Sequence, residues 1–165
     1  MSRPVSGRRG ADPSEPAYPP AGRTVPRCAI PVLRLWRVAP PQSLGTATAR
    51  SLRAVLRAVE PPCDRRRWAA ALRGDRVAMA RVALTVLRRE GVTGPAVDPV
   101  ASGLLMLALS GDRTAPVILA SALRRLARHQ PDETRLADLA ARWTAYVPAV
   151  PPPPAARPGA PYGFG

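Results

Sequence analysis

The sequence contains no lysine, no asparagine, a single histidine (His129) and two cysteines (Cys28 and Cys63). Each shortage removes a class of function. Without lysine there is no phosphate-binding loop of the G-x-x-x-x-G-K-[ST] type. One histidine and two cysteines cannot complete a four-ligand zinc site unless carboxylates are recruited, and two cysteines make no disulfide framework. Without asparagine, and with Gln42 and Gln130 outside or at the end of the helical runs, an adenine-reading recognition helix is missing its usual side chains. Aromatic residues make up only 4%, which leaves few stacking platforms for single-stranded nucleic acid. The longest apolar run, Leu104 to Leu109, is far short of the roughly 20 residues of a membrane span. No apolar stretch follows Arg3, Arg8 and Arg9, so no export signal is expected. The expectation is a soluble cytoplasmic protein, without a membrane partner and without a cofactor.

What is abundant is arginine, proline and alanine. All 25 basic residues are arginine, set against 11 acids, for a formal net charge of +14. Excess Arg, Ala, Pro and Gly with no Lys or Asn is also the mark of a GC-rich coding sequence, so the arginine count is weak support for nucleic-acid binding. The 22 prolines divide the chain. Residues 1–27 read as a disordered Pro/Arg-rich segment with little aliphatic surface to bury. Residues 28–45 read as an apolar arm or linker, where Val32, Leu33, Leu35 and Trp36 need a surface to cover. Pro31 suits the first position of a short helix, while the alternation at Leu33 and Leu35 suits a strand. Residues 148–165 form a Pro-rich disordered tail whose Pro151–Pro154 run favours polyproline II.

Residues 46–147 read as a helical domain. In Ala47–Glu60, Leu52, Val55, Leu56 and Val59 share one face, and Arg50, Arg53 and Arg57 line the opposite one. Pro61-Pro62 stops this helix. Asp64 caps the next, which passes Trp68 and Leu72 and ends at Gly74. Asp75 caps a helix over Arg76–Arg89. Its apolar arc is wide enough to require neighbours on two sides. Asp98-Pro99 reads as a cap followed by proline at the first helical position, opening Val100–Ser110, which is apolar all round. A fifth helix starts beside Pro116 and runs to about Gln130. A sixth starts at Pro131-Asp132, with Leu136, Leu139, Ala140, Trp143 and Val147 on one side and an Asp138–Arg142 pair on the surface. The fold class is all-α: a small array or bundle of about six short helices with Pro-rich ends.

A 37-residue offset lays Trp68–Glu90 over Leu105–Ala127 with eight identities in 23 positions, including Gly74-Asp75-Arg76 over Gly111-Asp112-Arg113. Two helical-hairpin repeats would produce this pattern. Alanine-rich helices with ordinary Gly-Asp stop signals produce it too.

The polar residues give little support to an enzyme. Asp64, Asp75, Asp98, Asp112 and Asp132 all precede helices, and capping accounts for them. His129 falls in the last turn of an arginine-rich helix, where a cation suits the dipole. Cys63 lies beside Asp64 and Arg65–Arg67 near a helix N-terminus. That setting can activate a thiol, although a half-buried structural cysteine is the plainer reading. Arg73-Gly74-Asp75 spells an adhesion tripeptide but sits at a helix turn. The first functional expectation is therefore a non-enzymatic adaptor or regulatory module. It would bind another protein through a helical face or groove, with Met79 and Val82 as exposed interface positions. The alternative is non-specific binding of the nucleic-acid backbone by Arg50, Arg53, Arg57, Arg65, Arg66 and Arg67.

Overall fold

The computed structural model describes residues 30–131 and 133–148. All regular structure among them is helical: α1 (Ile30–Leu33), α2 (Leu35–Val38), a 3₁₀ turn (Pro41–Ser43), α3 (Thr46–Ala58), α4 (Arg65–Leu72), α5 (Arg76–Arg89), α6 (Val97–Leu109), α7 (Ala115–His129) and α8 (Thr134–Ala145). The last six are the substantial helices. The disorder expected for residues 1–27 and for the tail beyond Pro148 concerns segments outside the described residues, as do Cys28 and Asp132.

The helix α6 sets the architecture. From Pro99 through Ala108 every residue is buried, and α1, α2, α3, α5 and α7 all touch it. Its beginning differs from the sequence expectation. It starts at Val97, so Asp98 and Pro99 lie inside the first turn rather than ahead of it. Proline is tolerated there because first-turn N–H groups have no intrahelical acceptor. Asp98 is thus released from capping. Its Oδ1 accepts hydrogen bonds from Trp36 Nε1 at 3.0 Å and Arg37 Nε at 2.8 Å, and Arg34 Nε reaches Oδ2 at 3.4 Å. Arg37 also lies over the Trp36 ring, 4.8 Å from its centroid. One turn further along α6, the buried Ser102 hydroxyl donates to the Leu33 carbonyl at 2.8 Å. Residues 30–39 are therefore a helical arm fastened to α6 and buried through Leu33 and Trp36.

Two turns repeat residue for residue. Gly74 and Gly111 take positive φ (104° and 93°), the left-handed geometry that favours glycine. Gly74 N–H bonds to Ala71 O and Asp75 N–H to Ala70 O; Gly111 N–H bonds to Ala108 O and Asp112 N–H to Leu107 O. Both sets are the paired bonds of a Schellman stop. Each aspartate then caps the following helix. Asp75 accepts from Ala78 N–H at 2.9 Å, and Asp112 from Thr114 and Ala115 N–H at 2.8 and 2.7 Å. Asp64 caps α4 through Arg66 and Arg67 N–H. The turn chemistry of the 37-residue offset is real, although α4 is five residues shorter than α6. At the far end α8 begins at Thr134, three residues later than expected, because a turn closed by Glu133 N–H on Gln130 O comes first. Asp138 and Arg142 both face solvent, and among the described residues they close no ion pair.

Leu105 is fully buried at the centre of this arrangement. Leu105→Ala should lower unfolding free energy by about 2–5 kcal/mol in urea denaturation. Asp98→Ala strands the buried Trp36 N–H, a loss of about 1–3 kcal/mol. It should also accelerate tryptic cleavage at Arg34 and Arg37, and cleavage as slow as in the parent protein would mean that the aspartate does not hold the arm.

Candidate protein-binding groove

Both α5 and α7 lean on α6, and each starts from an equivalent Gly-Asp turn. They flank a cleft of about 610 Å³. Leu104 and Leu107 of α6 form its floor. Val77, Ala80 and Leu84 line the α5 wall, and Ala115 and Ile118 the α7 wall. Val77 is 60% exposed and Leu84 46%, and Val117, the neighbour of Ile118 on α7, is 61% exposed. A second, smaller cleft shares Arg81 and Leu84 with the first and continues over α5 to Thr85, Arg88, Arg89 and Arg67 of α4. Large apolar side chains at solvent beside an open groove are the usual mark of an interaction site.

Charge surrounds this apolar strip. Arg76, Arg81 and Arg113 line the main cleft, and Arg67, Arg88 and Arg89 the second. Two are engaged within the chain. Arg76 Nε lies 3.3 Å from Asp112 Oδ2, and Arg89 lies 3.9 Å from Glu90. Glu90 is further committed to Ala96 N–H at 3.1 Å. Arg67, Arg81, Arg88 and Arg113 form no ion pair with a described carboxylate. The N-termini of α5 and α7 also lie at the Arg76 end of the groove, where the Asp75 and Asp112 carboxylates that cap them offset their dipoles; Asp112 itself lines the cleft.

Met79 and Val82 do not take the interface positions expected of them. Met79 is 0% exposed and Val82 2%. The reason lies in α6: a Cβ at Gly103 would overlap the Met79 thioether, 2.8 Å from its sulfur. The glycine admits Met79 into the α5–α6 contact, and both sides of the wide apolar arc of α5 are covered by α4 and α6. The exposed apolar positions are Val77 and Leu84. At 3.6 residues per turn both border the polar sector, about 20° and 40° beyond Arg88, so the pattern within α5 does not separate them from its covered apolar residues.

The arginines expected to bind nucleic acid divide. Arg50 and Arg57 are exposed and Arg53 is half-buried on α3; Arg65, Arg66 and Arg67 are exposed at the start of α4. Only Arg67 joins either of the two clefts. His129 is exposed in the last turn of α7. Among the described residues no three His, Cys, Asp or Glu side chains gather as a metal site requires, and no helix is long and apolar enough to cross a membrane.

Cys63 shows the opposite of activation. Burial raises its thiol pKa above the ordinary value, the Asp64 carboxylate raises it further, and the Arg67 charge offsets only part of this. Both raising effects disfavour the thiolate, so the reactive fraction at a given pH is smaller than for a free thiol. With Cys28 replaced by serine, iodoacetamide should modify Cys63 with a half-maximal rate at higher pH than it modifies N-acetylcysteine. An equal or lower midpoint would overturn this. No family model matches the chain, and comparison with curated proteins and with solved structures finds no match.

Proposed function

We propose that the chain is a non-enzymatic protein-interaction module, an adaptor or regulatory part working in the cytoplasm. It would receive another protein in the groove between α5 and α7. The observation that carries this reading is the placement of Val77, Leu84 and Val117 in solvent beside a groove floored by Leu104 and Leu107. Of the other large apolar side chains at solvent, Ile30 and Val38 lie on the 30–39 arm and Val147 lies beyond α8, while α6 beneath the groove is buried from Val97 to Ala108 except at Asp98. What distinguishes the groove is that Val77, Leu84 and Val117 are exposed together on its two walls, the kind of patch an interface requires.

The second reading is backbone binding to nucleic acid. It is favoured by the α3 stripe, where Arg50, Arg53 and Arg57 have no described carboxylate partner. The two readings place the partner on different helices. A photo-crosslinking amino acid at position 84 should yield protease-sensitive, nuclease-resistant adducts in cells, and the same group at position 50 should yield none. Duplex DNA should bind no more tightly than about 10⁻⁴–10⁻⁶ M at physiological salt. Its salt dependence should be unchanged by Arg50→Gln, Arg53→Gln and Arg57→Gln together. Nuclease-sensitive adducts at position 50, with a salt slope flattened by about 2–3 units in the triple variant, would establish the second reading instead.

A further inference from the structure

The groove also says what kind of chain fits it. Three modes of peptide recognition compete. Strand addition needs an open sheet edge, and the described residues contain no strand. Polyproline recognition needs an aromatic-lined groove, and no Trp, Tyr or Phe lines either cleft. The remaining mode lays the apolar face of a helix into a groove. The walls suit it: two helices resting on a third, with aliphatic side chains on both sides and an aliphatic floor. From Arg76 to Arg88 the exposed side of α5 extends about 18 Å, a little more than three helical turns.

Charge then selects among helices. Arg81 stands on the α5 wall and Arg113 at the head of the α7 wall, with Arg67 and Arg88 beyond Leu84. None of the four meets a described carboxylate. At the one groove arginine that does have a close partner from another helix turn, Arg76, the partner is a carboxylate, Asp112. A second copy is a poor occupant, because two chains of formal charge +14 repel. Resting on the reading of this groove as a protein-binding site, we infer that its occupant is an acidic amphipathic helix of about three turns. Its apolar residues at i, i+3 or i+4 and i+7 cover Val77, Leu84, Leu104 and Leu107, and its carboxylates meet Arg81 and Arg113.

The test is selection from a display library of random 16-residue peptides on the full chain, followed by fluorescence anisotropy of the enriched peptides as labelled synthetics. Enriched peptides should be net acidic, carry the helical apolar spacing and gain helicity on binding. Leu84→Asp, and separately Arg81→Glu with Arg113→Glu, should each weaken them by at least about tenfold. Arg50→Gln, Arg53→Gln and Arg57→Gln together should change binding less than about twofold. Leu84 and Val77 are both substantially exposed, so Val77→Asp serves if Leu84→Asp alters the circular dichroism or the urea midpoint. Neutral, basic or proline-rich peptides that still depend on Leu84 would overturn the acidic helix and leave the groove as a binding site. Acidic peptides lost through the α3 arginines instead would show attraction by net charge and overturn it as well. Absence of any peptide dependent on Leu84 or Val77 would overturn both the occupant and the binding site.

Discussion

A helix with no polar side must be enclosed on every side, and α6 imposes that requirement on the rest of the chain. Its buried residues run unbroken from Pro99 to Ala108. Two hairpin neighbours cannot surround a cylinder about 10 Å across. Enclosure therefore recruits α3 from one flank and the 30–39 arm from another. The arm is short and its two helices have four residues each, too few to persist alone. It is held by burial of Leu33 and Trp36 and by bonds to Ser102 and Asp98. The groove lies over Leu104 and Leu107, between α5 and α7.

The distribution of polar satisfaction follows the same logic. Trp36 finds an acceptor in Asp98, whereas Trp68 Nε1 and Trp143 Nε1 are buried with no hydrogen-bond partner among the described residues. Leaving an indole N–H unmade costs about 1–3 kcal/mol, against which each ring buries about 150–250 Å². The core thus tolerates unmet donors where it gains large apolar area. It supplies an acceptor where a segment must be fixed in place.

The helices and their stops were legible because they rest on local chemistry. Gly74-Asp75 and Gly111-Asp112 announce a left-handed stop and a cap within two residues, and α5 begins and ends at the expected residues, Arg76 and Arg89. The bounds of α6 and α8 moved because caps and first-turn residues look alike in sequence: Asp98 has the form of a cap and serves instead as an acceptor for residues more than 60 positions away. The candidate site was less legible. Met79 and Val82 are as apolar as Val77 and Leu84. Which pair is covered depends on the approach of α6, which Gly103 permits and which no pattern within α5 encodes. That Arg81 and Arg113 share a groove likewise follows from two helices resting on a third, a tertiary fact.

The attachment of the arm has a consequence for synthesis. Its anchors lie far along the chain: Trp36 to Asp98 spans 62 residues and Leu33 to Ser102 spans 69. At translation rates of about 5–20 residues per second, the arm leaves the ribosome ~3–14 s before its docking partners do. During that interval Leu33 and Trp36 have no native surface to cover, while α4 and α5 can pair as soon as both emerge. An early-made segment is thus among the last to reach its place. In that window a nascent chain offers aggregation and chaperones the same short apolar stretch that later closes the core.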